Sequence, residues 1–129
     1  MPGKVYRTAI YCRLSREDGD KVESNSIASQ RAICEDYIAR HDDLEIVCEP
    51  FVDDGYSGVS FNRPNFKKLE DAIRKGAIDC IVVKDLSRFS RNYIDGGRYL
   101  EKIFPQLGIR FIAVNDAYDS LTGDPQAGS

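Results

Sequence analysis

The chain has 129 residues, a length typical of one domain. Its hydrophobic fraction of 42% and charged fraction of 30% are near the average for globular proteins, which excludes a disordered or fibrous chain. No apolar run approaches the ~20 residues of a membrane-spanning helix. The N-terminus lacks the apolar segment of a signal peptide, so we expect a cytoplasmic protein that contacts no membrane. The four cysteines lack metal-ligand spacing and predict buried free thiols rather than a zinc site or disulfides.

Charge is unevenly distributed along the chain. The net charge of −3 and an isoelectric point near 5.2, taken as averages, argue against a nucleic-acid partner. Residues 17–54 contain 12 acidic and 3 basic residues, whereas residues 84–110 contain 6 basic and 3 acidic residues. The later segment can therefore still bind an anionic partner.

Segments with strand-like and helix-like patterns alternate along the chain. Runs of apolar, β-branched and aromatic residues predict strands at residues 5–11, 44–52, 79–83 and 109–114. Apolar residues at helical spacing predict helices at residues 27–40, 63–76 and 94–106. This order predicts a three-layer α/β fold, with a mostly parallel sheet of four to five strands and helices on both faces. No further element is predicted after Asn115.

Capping and breaking residues mark the ends of several elements. Asn25 or Ser26 can cap the first helix, and Pro64 suits the first turn of the second. Pro50, near the end of the second strand, indicates an edge strand. The polar residues 84–92 are predicted to form a loop.

Polar and charged residues concentrate just after three of the predicted strands. They are Arg13, Ser15, Asp54, Ser57, Arg63, Lys84, Asp85, Ser87, Arg88, Ser90 and Arg91. Parallel sheets of this kind bind ligands beyond the carboxyl ends of their strands, so these residues are expected at one edge. Arginine binds phosphate through paired hydrogen bonds, and a serine among arginines suits attack on a phosphodiester without a metal. Taken singly, loop serines are more often turn residues or helix caps, and an arginine pair is often a solvated face.

Other phosphate or hydrolase motifs are absent from the sequence. Neither a P-loop nor a dinucleotide-binding glycine motif follows the first strand. His41 is the single histidine, and its position at a predicted helix end beside acidic residues indicates a surface role. If Ser15 reacts, it does so without a histidine base.

Four motifs in order resemble the catalytic domain of serine site-specific recombinases, the resolvase/invertase group. They are Y-C-R-L-S at residues 11–15, S-Q-R at 29–31, D-G-Y-S-G followed by R-P-x-F-x-x-L at 54–69, and K-D-L-S-R-F-S-R-N at 84–92. The resemblance covers most of the chain. The long spacer between Ser15 and Gln30, and the wording of the last motif, most resemble large serine recombinases of transposons and other mobile elements.

The resemblance implies a resolvase-like fold, with a core at about 4–119 in a catalytic domain that spans residues 1–129. It implies that Ser15 attacks the scissile phosphodiester of DNA, forming a 5′-phosphoserine link before strand exchange and religation. It assigns phosphate contacts to Arg13, Arg63, Arg88 and Arg91. It assigns supporting roles to Gln30 and Ser57, and an arginine-orienting role to Asp54. No cofactor or metal is implied.

The chain departs from the family pattern in its last motif. Many small resolvases have an aspartate directly before the first arginine of this motif, where this chain has Ser87, with Asp85 two residues further back. Which of the two provides the orienting or acidic group stays open. The family continues into a dimer-forming helix and DNA-binding domains, so we expect a longer protein that is dimeric on each double-stranded DNA site and tetrameric in the synapse. DNA affinity in such missing domains would account for the acidic isoelectric point.

Two alternatives remain from the residues alone. One is a receiver-like signalling module, which would need paired acids after its first strand. Here that strand ends in Arg13 and Ser15, and the nearest acids are Glu17 and Asp18. The other is a catalytically dead domain whose arginines only position DNA.

Overall fold

The computed structural model describes residues 3–15 and 26–122. Its strands, numbered in chain order, are β1 Tyr6–Leu14, β2 Leu44–Ile46, β3 Phe51–Asp54, β4 Cys80–Val83, β5 Arg110–Ala113 and β6 Tyr118–Asp119. Its helices are α1 Ile27–Ala39, α2 Pro64–Arg74, α3 Leu86–Phe89, α4 Tyr93–Arg98 and α5 Phe104–Gln106, with a π-helical turn at Tyr99–Ile103 and a 3₁₀ turn at Val114–Asp116. Asn25, the alternative helix cap, and the acidic pair Glu17 and Asp18 lie outside the described residues.

The strands form one mostly parallel sheet with the spatial order β2-β1-β4-β5-β6, and β3 pairs with the last part of β1. The central pair β1 and β4 is parallel, and Thr8 lies opposite Cys80. Only β6 among these strands runs antiparallel to its neighbour. The predicted fold class, a three-layer α/β fold with a mostly parallel sheet, is confirmed.

The predicted strand at residues 44–52 is two short strands in the structure. β2 pairs with the first residues of β1, whereas β3 pairs with residues 11–14 at its other end. Pro50 lies in the break between them and has no N–H to donate to a strand ladder. The apolar pattern therefore identified strand-forming residues but not the interruption.

Alternation along β1 divides the buried side chains between two faces of the sheet. Ile10 and Cys12 face α1, where they pack with Cys34 and Ile38. On the other face, Ala9 and Tyr11 belong to a larger aromatic cluster. The members of this cluster from outside β1 include Phe66, Leu69, Phe89, Phe104 and Phe111. The helices therefore cover both faces, and the odd-numbered residues of β1 point toward α2 and α3.

Two short elements were not predicted. The predicted loop at residues 84–92 contains α3, a single turn capped by the Asp85 side chain, which accepts from the Arg88 N–H at 3.2 Å. After Asn115, where no element was predicted, β6 pairs antiparallel with β5. Both elements are too short to show a periodic pattern in the sequence.

The cysteines are free, as the sequence predicts. Three are buried and Cys48 is half-buried. Burial raises the pKa of Cys12 and of Cys80 to about 12, so these thiols stay protonated at neutral pH. Within residues 3–15 and 26–122, no cluster of three or more histidine, cysteine or acidic residues could hold a metal ion. No helix in this described part is long and apolar enough to cross a bilayer.

Candidate active site at the carboxyl end of the sheet

The end of β1 is fastened to α1 by a buried glutamine. Ser26 caps α1 by accepting from the Ser29 N–H, and this start places Gln30 one turn into the helix, facing β1. The Arg13 main-chain N–H donates to Gln30 Oε1 at 3.1 Å, and Gln30 Nε2 donates back to the Arg13 carbonyl at 2.9 Å. Ser15 follows β1 directly and is 5% exposed. Gln30 thus fixes the backbone two residues before the candidate nucleophile.

The Arg13 guanidinium connects β1 to the two loops that follow β3 and β4. It is fully buried and donates to three main-chain carbonyls. Nε donates to Arg88 O at 3.1 Å, Nη1 to Tyr56 O at 3.0 Å and Nη2 to Ser87 O at 2.5 Å. Arg13 therefore joins three strand ends that are far apart in the sequence.

Arg88 lies directly against the end of β1. Its Nη1 donates to the Arg13 carbonyl at 2.9 Å, and its side chain is 2% exposed. Ser87 Oγ lies 3.4 Å from both Nε and Nη2 of Arg88, and donates to Asp85 Oδ1 at 2.5 Å. Asp85 Oδ1 is itself 3.8 Å from Arg88 Nε. Asp85 and Ser87 therefore contact Arg88 as one hydrogen-bonded unit.

Arg91 is the exposed arginine of the group, and it meets Arg13 at Gly58. The Arg91 N–H donates to the Gly58 carbonyl at 2.6 Å. A Cβ added to Gly58 would lie 2.7 Å from Arg91 Cγ and 2.8 Å from Arg13 Nη2. These contacts are closer than real side chains allow, so the two arginines can pack here only because residue 58 has no side chain.

Ser57 and Asp54 have local or exposed positions. The Ser57 hydroxyl accepts from the Val59 N–H at 3.1 Å, a bond that stabilises the turn itself. Asp54 is exposed at the end of β3. Its neighbour Asp53 is buried and accepts from the Tyr11 hydroxyl at 2.8 Å. That hydroxyl in turn accepts from Arg63, so Asp53 is connected to an arginine through Tyr11.

Arg63 is held mainly by main-chain carbonyls. Its side chain is fully buried, and it donates to the carbonyls of Phe89 at 2.7 Å, Ser60 at 2.8 Å and Gly58 at 3.3 Å. Its Nη1 also donates to the Tyr11 hydroxyl at 3.3 Å. The expected phosphate contact of Arg63 stays a prediction.

Sequence reasoning missed the pair Tyr11 and Asp53, of which only Tyr11 is signalled by strand alternation. Tyr11 and Arg13 share one face of β1, and Asp53 is opposite Arg13 in the β1–β3 register. A fourth basic group that is buried at this end is Lys84, directly after β4. His41 lies at the end of α1 next to β2, where it stacks on Tyr37 with ring centroids 4.0 Å apart.

Comparisons with known proteins identify relatives of this chain. A putative DNA recombinase of Bacillus subtilis (strain 168) is 31% identical over 87 residues, which is 67% of this chain. The chain spans 16% of the length of that curated relative.

Solved structures show the same fold. The N-terminal catalytic domain of TP901-1 integrase aligns with a TM-score of 0.77 and 27% identity, over 89% of this chain and 82% of that one. A resolvase family site-specific recombinase from Streptococcus pneumoniae aligns with a TM-score of 0.71 and 27% identity, over 97% of this chain and 81% of that one.

A family model supports the same assignment across nearly the whole sequence. The model for the resolvase N-terminal domain matches residues 8–127, which include every candidate site residue discussed above. With the parallel sheet and the arginines gathered beside Ser15, this match shows that the chain belongs to the resolvase N-terminal domain family.

Proposed function

We propose that this chain is the catalytic domain of a site-specific DNA recombinase and that Ser15 is its nucleophile. The observation that carries the proposal is the gathering of Arg13, Arg88 and Arg91 at the end of β1, where Ser15 follows. Family membership supports the same assignment and excludes the receiver-like alternative.

The proposed reaction exchanges one phosphate ester for another. The Ser15 hydroxyl oxygen bonds to phosphorus, and the bond between phosphorus and the 3′ oxygen of the DNA breaks. The serine proton is released and the departing 3′ oxygen takes up a proton, which leaves a 5′-phosphoserine link and a free 3′-hydroxyl. Attack by the 3′-hydroxyl of another strand reverses these steps and religates the DNA. Because the ester bond is conserved throughout, the reaction needs no external energy source.

The arginines divide into an exposed contact and buried contacts. Arg91 is exposed and is the group that an arriving phosphate meets first. Arg13 and Arg88 are buried and bonded to carbonyls, so they contact phosphate oxygens by exchanging those carbonyl acceptors when DNA binds. Catalytic hydrogen bonds often form fully only in the substrate complex. Guanidinium groups at this position stabilise the charge that develops on the phosphate oxygens.

Supporting residues hold these groups in place. Gln30 fixes the Arg13 backbone, and Asp85 together with Ser87 orients the Arg88 guanidinium. Ser57 stabilises the turn that presents Gly58 to the arginines.

We propose that the catalytic domain spans residues 1–129, with a core at about 4–119. Its substrate is double-stranded DNA at a specific site, bound by a dimer on each site and by a tetramer in the synapse. It carries out this reaction in the cytoplasm.

The test is covalent trapping with the full-length protein and a nicked DNA that carries its recombination site. The wild-type protein should become linked to the 5′ end at Ser15, and Ser15→Ala should form no adduct because the attacking oxygen is gone. Ser120→Ala is the matched control, since Ser120 is a half-buried serine that, like Ser15, directly follows a strand, with its hydroxyl accepting from the Phe111 N–H at 2.8 Å.

Ser120→Ala should form the adduct at the wild-type rate. An adduct formed by Ser15→Ala would overturn the nucleophile assignment. A wild-type protein that binds the site but never forms an adduct would instead indicate a catalytically dead DNA-interaction domain.

A further inference from the structure

Three polar side chains form a buried chain beneath the candidate active site. Arg63, Tyr11 and Asp53 are each no more than 1% exposed. Arg63 Nη1 donates to the Tyr11 hydroxyl at 3.3 Å, and that hydroxyl donates to Asp53 Oδ2 at 2.8 Å. Burial is the main cause that raises the pKa of Tyr11 far above its ordinary value, so the hydroxyl keeps its proton and can act as this link.

One end of this chain is anchored to α2. Asp53 Oδ1 accepts from the Asn65 N–H at 3.0 Å, and Asp53 Oδ2 accepts from the Phe66 N–H at 2.9 Å. The helix lacks a cap from its own N-cap residue, Arg63, and Asp53 satisfies two of its first free N–H groups. The carboxylate at the positive end of the helix therefore has a fixed position.

The other end of the chain holds the backbone that carries the site arginines. Arg63 donates to the carbonyl of Phe89, the residue that follows Arg88. It also donates to the carbonyl of Gly58, which accepts the Arg91 N–H. One guanidinium thus holds both backbone segments against which Arg88 and Arg91 pack.

Arg63 itself is held by its surroundings. Its guanidinium carbon lies 4.7 Å from the centre of the Phe61 ring, and the rings of Tyr11 and Phe66 lie 5.9 Å away. These rings stabilise the buried cation. Among the described residues, Arg63 forms no direct ion pair with a carboxylate, and Tyr11 connects it to Asp53. Removing the Tyr11 hydroxyl would leave both the cation and the carboxylate short of one partner.

We propose that Tyr11 and Asp53 are positioning residues for DNA strand cleavage, which act through Arg63 on the Gly58 and Phe89 carbonyls and so on Arg91 and Arg88. This inference rests on the proposed function. In this arrangement Arg63 contributes to catalysis by placing Arg88 and Arg91.

The test compares Tyr11→Phe with Tyr99→Phe in the full-length protein. Tyr99 is a matched control because its hydroxyl also donates to a carboxylate, Glu70, at 2.8 Å, and its ring packs in the same aromatic cluster. Both variants lose one phenol hydroxyl, so a purely structural role predicts similar effects. Asp53→Asn is a second variant with an unchanged shape, in which an amide replaces the carboxylate that accepts three N–H or O–H groups.

Two measurements separate positioning from stability. At saturating DNA, Tyr11→Phe should slow single-turnover cleavage about 10-fold with unchanged DNA affinity, because small displacements of catalytic groups have effects of this size. Tyr99→Phe should cleave at the wild-type rate. Hydrogen exchange of the Arg91 amide, read by NMR, should be faster in Tyr11→Phe and in Asp53→Asn but not in Tyr99→Phe.

Equal effects of Tyr11→Phe and Tyr99→Phe on cleavage and on Arg91 exchange would overturn the proposal. Faster Arg91 exchange in a protein whose wild-type form never cleaves DNA would refute the proposed function while leaving this coupling intact. Wild-type cleavage with no change at Arg91 in Tyr11→Phe would refute the coupling alone.

Discussion

Buried arginines lie at both ends of the parallel sheet, and the two ends give them different partners. At the amino end, Arg110 donates to both oxygens of Asp119, at 3.0 and 2.6 Å, and to Asp43 at 2.7 Å. At the carboxyl end, the hydrogen bonds of Arg13 and Arg63 to described residues include three main-chain carbonyls each. The same residue type therefore occupies two different electrostatic environments in one small domain.

The two environments differ because carboxylate and carbonyl acceptors have different effects on the positive charge of a guanidinium. A carboxylate satisfies the guanidinium N–H groups and also cancels its positive charge, as in the Arg110 and Arg7 pairs. A carbonyl satisfies the N–H groups but leaves the formal charge in place. Burial of a charge is unfavourable unless it is well bonded, and the proposed DNA phosphate would be an anionic partner at the carboxyl end.

The largest effect is expected when one exposed arginine is replaced at each end of the sheet. Arg91→Ala and Arg91→Lys should each slow strand cleavage ~10²–10³-fold, because each removes a paired donor to the developing phosphate charge. Arg7→Ala, at the amino end, removes the bidentate contact with Asp79 and should leave cleavage unchanged. Single-turnover cleavage and DNA affinity of the full-length variants are the measurements.

DNA affinity should change much less than the cleavage rate, since affinity depends on many other phosphate contacts. Equal cleavage by Arg91→Lys and the wild-type protein would show that a point charge is sufficient, contrary to the expected two-pronged contact.

A smaller effect is expected where the carboxyl-end arginines pack on Gly58. Gly58→Ala places a methyl group within 2.9 Å of Arg91 and Arg13 side-chain atoms, so both side chains must shift. We expect cleavage to slow ~10–10²-fold, the range for displacements of about an ångström. Gly97→Ala is the matched control, because a Cβ at Gly97 meets nothing within 4 Å and this residue lies in α4.

Gly97→Ala should keep wild-type cleavage and stabilise the domain by about 0.5–1 kcal/mol, as expected for alanine in a helix. Comparison of cleavage rates and urea unfolding for the two variants separates packing on the arginines from a general glycine effect. Wild-type cleavage by Gly58→Ala would show that the close packing seen here is irrelevant to the reaction.

The sequence was sufficient to predict which end of the sheet carries the candidate site. Parallel strands with their connecting helices bring residues that follow different strands to one edge, and Arg13 and Arg88 do contact each other there. Other elements are equally predictable, α2 from apolar residues at helical spacing and β4 from a short continuous apolar run.

The orientation of single side chains was not predictable. β3 has four residues, too few for its pattern to indicate which of Asp53 and Asp54 points inward. The family resemblance assigned the orienting role to Asp54, whereas the register with β1 buries Asp53. The burial of Arg63 was equally unpredictable, since it depends on the aromatic residues that surround it in the folded chain.

The smallest expected effect on cleavage belongs to the amino-end cluster, whose role we expect to be stability. Arg110→Met leaves Asp43 and Asp119 without their cation and should lower the free energy of unfolding by about 3 kcal/mol, the lower end of the range for breaking a buried ion pair. Cleavage at saturating DNA should be unchanged at temperatures where the variant is folded. Urea unfolding and single-turnover cleavage at neutral pH test these two expectations together.

The same variant should change how stability depends on pH. The hydrogen bond from Arg110 holds the pKa of Asp43 below its ordinary value, and the Arg7 guanidinium does the same for Asp79. A carboxylate with a lowered folded-state pKa contributes stability that is present above its unfolded value of ~3.9 and is lost as pH falls through the folded value. The wild-type free energy of unfolding should therefore decline from about pH 5 downward. In Arg110→Met the decline should be shallower, because the Asp43 contribution is gone and the Asp79 contribution remains. An identical acid slope in both proteins would show that the pairing with Arg110 does not stabilise the ionised form of Asp43, and the amino-end arginine would then lose the role that distinguishes it from those beside Ser15.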